Sequence, residues 1–222
     1  MTCLTSSLGG GRPEQQAVLP TAGRRAKEVC LTVLFAAMLL NGCASHEPRY
    51  YTLSSDLSAI PFPSPSSGQP PLWVKVAPVY VPERLNRTQL VAQDGRNTGA
   101  LKLMEFERWS APLPDELQSA LSEQLQFRLG AIDSYRLGQP AEGPVYLITT
   151  EVIRLDTELG LWADASINWT VRRQPDGKLA SGRTQARLPV EGSVNGMVAA
   201  YREVVSITAN DIAAGIRGMM SH

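Results

Sequence analysis

The chain has 222 residues, of which 43% are hydrophobic and 19% charged, and this composition is typical of a globular protein. Four of the 21 basic and two of the 21 acidic residues precede position 43, which leaves 17 and 19 in the remainder. Because that remainder is slightly acidic and has no stripe of Lys and Arg, we exclude nucleic acid as a partner. The cysteines are Cys3, Cys30 and Cys43, so no disulfide can form after position 43, and stability must come from core burial.

The N-terminal region has the order of a bacterial secretion signal. A basic stretch at residues 24–27 precedes an apolar run, Val29–Leu40, and this run is too short to span a bilayer comfortably, which takes ~20 residues. The run leads into Leu40-Asn41-Gly42-Cys43. This tetrapeptide resembles the lipobox of bacterial lipoproteins, in which the thiol is diacylated before cleavage.

We therefore expect a signal peptide over residues 1–42, with an upstream extension at 1–22, processing directed by Leu40 and Gly42, and lipidation of Cys43. Two or three acyl chains on one residue would bind a membrane stably, whereas one chain binds weakly. Ala44 stands where an aspartate would resemble the signal for retention in the inner membrane, so we expect an outer-membrane anchor facing the periplasm. The alternative is a buried hydrophobic helix with an inert Cys43.

Residues 43–71 are expected to form the lipid anchor and a spacer. Pro61–Pro71 is too rich in Pro and Ser for helix or for strand pairing, and a polyproline-like segment extends by ~3.1 Å per residue. Such a spacer would let the domain stand away from the lipid surface. Tyr50 and Tyr51 either form a short strand that docks on the domain or belong to a disordered tail.

The remaining residues, 72–222, are predicted to form a single domain of mixed α and β structure. Alternating apolar residues indicate strands at 72–77, 88–92 and 101–106. Residues 145–155 are apolar on both faces, which predicts a central strand covered from two sides.

A β-hairpin with one solvated face is predicted over residues 161–190, with its turn at Pro175-Asp176-Gly177. The first strand of the hairpin alternates with period two, and its apolar face consists of Leu161, Ala163, Ala165, Ile167, Trp169 and Val171.

Two amphipathic helices are predicted, at 114–129 and at about 195–219. The first has Pro114, Asp115 and Glu116 at its start and Gly130 behind it, and these residue types mark helix ends.

The residues needed for catalysis or metal binding are missing from the sequence. The histidines are His46, beside the anchor, and His222, the last residue, so a histidine base or metal site is not expected. We find no phosphate-binding loop and no nucleophile elbow. Glu105 and Glu107 share a strand face, but solvated edge charges are far commoner than a carboxylate pair. We predict a protein that is not an enzyme and has no cofactor.

Two sequence blocks resemble the PqiC/YmbA family, also described as ABC-type transport auxiliary lipoproteins. The first block is Val81, Pro82, Leu85, Arg87, Leu90 and Val91; the second is Arg108, Trp109, Ala111, Pro112 and Leu113. The resemblance implies an α+β fold: a mixed, largely antiparallel sheet of about five strands with two main helices packed on it, similar to anticodon-binding-like and TolB N-terminal domains.

The resemblance also implies a non-enzymatic adaptor at the outer membrane that works with an inner-membrane MCE-domain protein in intermembrane lipid transport. We expect it to assemble as a ring of copies. A periplasmic lipid-binding carrier is the alternative, and it would require a cavity lined by the apolar stripes.

The signature residues Arg87, Arg108, Trp109 and Pro112 have two readings. They form either a partner or self-assembly surface, or an internal arrangement in which Trp109 packs over the first helix and the arginines pair with glutamates. The glutamates within reach would be Glu83, Glu105 and Glu107.

Overall fold

A computed structural model of the chain describes residues 47–54, 71–95, 99–135 and 143–221. These residues contain two long helices, α1 (Leu113–Leu129) and α2 (Val194–Met220), and a single-turn 3₁₀ helix, Glu83–Leu85. Their eight strands are β1 (Arg49–Tyr51), β2 (Leu72–Val76), β3 (Gln89–Gln93), β4 (Leu101–Trp109), β5 (Ala131–Asp133), β6 (Val145–Glu158), β7 (Trp162–Gln174) and β8 (Leu179–Pro189).

The strands form two sheets. The larger sheet has the order β5-β2-β6-β7-β8, in which β2 runs parallel to both neighbours and β6, β7 and β8 are successively antiparallel. The smaller sheet has the order β1-β4-β3, with β1 parallel and β3 antiparallel to β4. The predicted α+β class, with two helices on a mixed sheet, is confirmed, and β3 and β4 belong to the separate smaller sheet.

Strand β6 is central in the larger sheet, but only one of its faces is covered. Ile148, Val152 and Leu155 are buried, whereas Thr149 and Glu151 are exposed and Ile153 is 46% exposed. The prediction of cover on both faces was therefore wrong. Both helices pack on the same face of the sheet, so the apolar residues on the other face remain in solvent.

The β7–β8 hairpin forms as predicted, with its turn at residues 175–177. Gly177 has φ +73°, and its N–H donates to the Arg173 carbonyl at 2.8 Å. Ala163, Ala165, Ile167 and Val171 are buried on the helix-facing side. Leu161, assigned to the same face, is 59% exposed because it lies in the tight turn before β7.

Both helices carry recognisable ends. Helix α1 is followed by Gly130 at φ 58°, the left-handed conformation that glycine adopts most readily. Helix α2 begins after Ser193, whose Oγ accepts a hydrogen bond from the Gly196 N–H at 3.1 Å. Among the described residues, no helix is long and apolar enough to cross a membrane.

The core lies between the helices and the larger sheet and continues under the smaller sheet. Its helix side consists of the buried stripes of both helices: Leu113, Leu117, Ala120, Leu121 and Leu125 of α1, and a stripe of α2 that includes Met197, Tyr201, Val204, Val205, Ala209, Ile212, Ala213 and Ile216. Trp109 of β4 stacks on Tyr201 with ring centroids 6.0 Å apart, so the smaller sheet and α2 share one apolar layer.

Candidate functional site

The segment that leads from the predicted anchor into the fold is docked on the domain. Strand β1 pairs in parallel with the end of β4, with Arg49 opposite Glu107 and Tyr51 opposite Trp109. The ladder continues one step further, because the Ser110 N–H donates to the Tyr51 carbonyl at 2.7 Å. Of the two readings of the tyrosines, the structure gives the docked strand. We call residues 49–54 the docked segment.

A buried carboxylate holds the end of the docked segment. Glu116, in the first turn of α1, is only 5% exposed. Its Oε2 accepts from the Leu53 N–H at 2.7 Å and from the Thr52 hydroxyl at 2.8 Å, while its Oε1 accepts from the Ser110 hydroxyl at 2.5 Å. A carboxylate away from water is costly unless such donors surround it, and the positive end of the helix also favours it.

A second carboxylate holds the beginning of the docked segment. Glu107 accepts a hydrogen bond from the Tyr51 hydroxyl at 2.6 Å and forms an ion pair with Arg49 at 2.9 Å. Burial raises the pKa of Tyr51, and the hydrogen bond to Glu107 raises it further because ionised Tyr51 would lose that bond. Arg202 of α2 adds a hydrogen bond to the Thr52 carbonyl at 2.8 Å.

Apolar burial completes the attachment, since Leu53 is only 1% exposed and belongs to the core. The chain therefore enters the fold at Arg49, on the N-terminal side of the Pro-rich segment. That segment connects Ser54 to β2 in the sequence, so it does not separate position 43 from the first docked strand.

Some of the predicted site residues lie just before α1 in the sequence, and others lie outside the described residues. Cys43, Leu40 and Gly42 belong to the latter group. Pro112 is the N-cap of α1, and its carbonyl accepts hydrogen bonds from the N–H groups of residues 115 and 116 at 2.9 and 3.1 Å. Arg87 meets this turn through its carbonyl, which accepts from the Leu113 N–H at 3.4 Å.

Among the contacts of the described residues, neither Arg87 nor Arg108 pairs with the carboxylate of a glutamate that was considered as its partner. The Nε of Arg87 is buried without a hydrogen-bond partner in the described part of the chain. The Nε of Arg108 lies 3.4 Å from the backbone carbonyl of Glu105, and Glu107 is held by Arg49 instead.

Trp109 is an internal residue. It is 2% exposed, and its backbone N–H donates to the Thr88 carbonyl at 2.6 Å, which joins β4 to the start of β3. Its ring stacks on Tyr201 of α2. Because the side chain is covered, a direct contact with a partner would require the domain to open.

Sequence reasoning missed the role of Glu116, although a signal was present. Glu116 follows Leu113 by three residues and precedes Ala120 by four, so it lies on the apolar stripe of α1. An acid on such a stripe is expected to be buried with partners. The sequence analysis used it only as a marker of the helix start.

The described residues offer little that suggests catalysis or enclosure of a ligand. They contain no group of three or more His, Cys, Asp or Glu side chains placed to hold a metal ion. Glu107 is engaged by Arg49 and Tyr51, which leaves no spare carboxylate pair at this strand. A depression of about 530 Å³ lies on the open face of the larger sheet and is lined by Leu147, Thr149, Thr170, Arg172 and Gln174.

The fold has relatives among solved structures. A protein described as uncharacterised is 20% identical, with a TM-score of 0.59 over 77% of this chain and 99% of its own. A Xanthomonas campestris protein of the DUF330 family is 14% identical, with a TM-score of 0.52 over 71% of this chain and 93% of its own. No curated protein matches the chain significantly.

The sequence itself matches the family described as ABC-type transport auxiliary lipoprotein component over residues 51–213. This match runs from the docked segment through both sheets into α2, and it confirms the resemblance drawn from the blocks at 81–91 and 108–113. The chain therefore belongs to the family of ABC-type transport auxiliary lipoproteins.

Proposed function

We propose that the protein is an outer-membrane lipoprotein, acylated at Cys43 and then cleaved to remove residues 1–42, whose periplasmic domain is a non-enzymatic adaptor for an MCE-type system of intermembrane lipid transport. Membership in a family of transport auxiliary lipoproteins supports the anchor and the auxiliary role. The order of basic stretch, apolar run and lipobox supports the position of the acylated residue.

The attachment of the docked segment is the observation that carries this proposal. Leu53 is 1% exposed and Glu116 accepts three hydrogen bonds from residues 52, 53 and 110. A tether that ended in a loose tail would leave the domain free to move away from the membrane. A tether fastened into the core transmits the position of the lipid to the domain, as an adaptor requires.

The adaptor is favoured over a lipid-binding carrier by the apolar stripe of α2. A carrier needs a cavity lined by such a stripe. In the structure, Val204, Ile212 and Ile216 are each 0% exposed and belong to the packed core. In the described part of the chain, the apolar side of α2 is therefore occupied by protein and not open to acyl chains.

Assembly into a ring is part of the proposal, and the edges of the larger sheet are consistent with it. Strands β5 and β8 each have one neighbour in the described sheet, which leaves a free edge on either side. A head-to-tail contact that uses two different surfaces generates a closed ring when the rotation allows. Native mass spectrometry of the acylated protein in detergent tests this, and a monomer at every concentration would refute it.

The partner is tested by affinity purification from solubilised envelopes, comparing the wild-type chain with Cys43→Ser. We expect an MCE-domain protein to co-purify with the wild type and to be reduced at least about tenfold with Cys43→Ser, because the unanchored domain loses the high effective concentration at the membrane. Arg108→Glu tests whether Arg108 belongs to a partner surface, and Arg172→Glu on the open face of the larger sheet is the matched control. Recovery of a different transport machine, without an MCE protein, would refute the partner.

A further inference from the structure

The short connection between the anchor and the docked segment fixes which end of the domain meets the membrane. This inference depends on the proposed acylation of Cys43. Five residues, 44–48, separate Cys43 from Arg49, the first residue of β1. Six Cα steps of at most 3.6 Å each allow roughly 20 Å between Cys43 and Arg49. The anchored domain must therefore remain close to the lipid surface.

The direction of β1 indicates which end of the domain lies nearest the anchor. Because β1 is parallel to β4, with Arg49 opposite Glu107, the N-terminal end of β1 points toward the start of β4 at Leu101. Leu101 lies six positions before Glu107, and Cys43 lies six positions before Arg49. The tether is thus long enough to bring the lipid to the level of the start of β4, and hardly further.

The start of β4 carries apolar side chains in solvent. Leu101 is 38% exposed, Leu103 is 39% exposed and Phe106 is 49% exposed, and Lys102 between them is also exposed. Three exposed apolar side chains on one nine-residue strand are unusual, because exposed strand positions are normally polar.

A second element brings another exposed apolar residue to the same end. The turn after β3 lies beside the end of β6, since a Cβ built on Gly95 would be 2.3 Å from Oε1 of Glu158. The β6–β7 turn that follows Glu158 carries Leu161, which is 59% exposed. Two elements from different sheets therefore present leucines to solvent at one end of the domain.

We infer that this end of the domain, formed by β4 residues 101–106 and the β6–β7 turn, lies on the bilayer with Leu101, Leu103, Phe106 and Leu161 in the interface. The opposite end carries the β7–β8 turn, because β7 runs away from the β6–β7 turn along its whole length. That opposite end then faces the periplasm, where a partner from the inner membrane would arrive.

Site-specific fluorescence in vesicles tests the orientation on the full-length acylated chain. Cys3 and Cys30 precede the predicted cleavage point and Cys43 is acylated, so a cysteine introduced by Leu103→Cys is the free thiol of the mature protein. Leu179→Cys is the matched control, because Leu179 is also an exposed strand leucine, at 58%, but it adjoins the β7–β8 turn. Each thiol is labelled with an environment-sensitive fluorophore in vesicles of phosphatidylethanolamine and phosphatidylglycerol that contain a nitroxide-labelled lipid.

We expect the lipid-borne nitroxide to quench the label at 103 at least about twofold more than the label at 179. Equal quenching at the two positions would overturn the orientation. A label at 103 that is shielded from aqueous iodide, yet not quenched by the nitroxide lipid, would also overturn it, since a protein would then cover this end. Vesicle flotation separates the two proposals: a chain that does not float refutes the acylation itself, whereas a floating chain with equal quenching refutes the orientation alone.

Discussion

The larger sheet and the docked segment of this domain are held in place by different forces. The larger sheet is covered by helices whose contact residues, such as Val204, Ile212 and Ile216, are completely buried and apolar. The docked segment of the smaller sheet has one core residue, Leu53, and depends for the rest on hydrogen bonds to Glu107 and Glu116. Apolar packing is nondirectional and extensive, while this polar attachment depends on a few atoms in fixed places.

The difference bears on how the protein responds to force from its anchor. Any pull on an acylated Cys43 reaches the domain through β1, so the polar attachment is loaded before the apolar core. A short segment with few buried contacts is also the kind of element that opens locally without global unfolding. The core therefore sets the global stability, and the two carboxylates set the local stability of the docked segment.

The largest effect is expected from truncating the core. Ile212→Ala removes a side chain that is 0% exposed, so the free energy of unfolding should fall by about 2–5 kcal/mol. Ile153→Ala is the matched control, because Ile153 is 46% exposed on the open face of the larger sheet and should cost far less. Urea unfolding of both variants measures this. Equal losses would mean that the open face is covered in solution.

Glu116→Ala should break the connection while leaving the core folded. It leaves the Leu53 N–H and the hydroxyls of Thr52 and Ser110 without their acceptor, at a cost of about 1–3 kcal/mol. Asp115→Ala is the control, since Asp115 is exposed in the same helical turn and has a similar relation to the helix dipole.

Hydrogen exchange distinguishes local release from general destabilisation in that variant. We expect the Leu53 amide to exchange at least about tenfold faster in Glu116→Ala, since 1.4 kcal/mol corresponds to a factor of ten. The slowest amides of β6 and β7 should change much less. If both groups of amides accelerate equally, Glu116 belongs to the core and the comparison between the two regions fails.

The packing of α2 on the larger sheet should also be sensitive to side-chain size at Gly182 and Gly215, which both face the Trp169 ring. A Cβ at Gly182 of β8 would lie 2.4 Å from the ring of Trp169, and one at Gly215 of α2 would lie 3.2 Å from the same ring. We expect Gly182→Ala to lower the free energy of unfolding by about 1–3 kcal/mol through overpacking.

Gly218→Ala provides the matched control for that substitution. A Cβ at Gly218 would meet nothing within 4 Å, and alanine is the better helix former, so a gain of up to about 1 kcal/mol is expected. Thermal unfolding of the two variants should therefore move in opposite directions. A stable Gly182→Ala would show that the Trp169 ring has room to shift.

Strands β2, β6, β7 and β8 of the larger sheet and both helices could be predicted from the sequence because their apolar residues repeat with the period of the element, whereas the three-residue strand β5 is too short to show a period and was not predicted. The period-two alternation of β7 and the i, i+3 and i, i+4 spacing of α2 report directly on which side faces the core. The prediction for β6 failed because an apolar face in sequence does not reveal whether a helix lies on it. Ile153 is apolar and in solvent.

The candidate site was harder to predict, since it is made of contacts between residues distant in sequence. The carboxylate of Glu116 joins residues 52 and 53, more than sixty positions away, and no local pattern encodes that partnership. The aromatic residues at 50 and 51 suggested a docked strand as one of two readings, but the strand that they meet could not be named. The signature residues Arg87, Trp109 and Pro112 lie at the turn that leads to α1, where they shape the same junction.

The smallest effect is expected for Tyr51→Phe, which removes one hydrogen bond from the polar attachment. At pH 7 the loss of the bond to Glu107 should lower the free energy of unfolding by about 0.5–1.5 kcal/mol. Tyr50→Phe is the control, because the neighbouring Tyr50 is exposed and its substitution should change the free energy of unfolding by less than about 0.5 kcal/mol.

The pH dependence of that difference tests its cause. Burial and the bond to Glu107 raise the pKa of Tyr51 above its ordinary value of 10.0, so the folded state holds the phenolic proton more tightly than the unfolded state. The stability that Tyr51 contributes is therefore complete below pH 10 and is lost as the pH rises through the higher folded-state pKa. The difference in unfolding free energy between the wild type and Tyr51→Phe should shrink above pH 10. If it stays constant up to pH 11, the hydroxyl is not held by the carboxylate, and β1 is attached through its other contacts without the Tyr51–Glu107 bond.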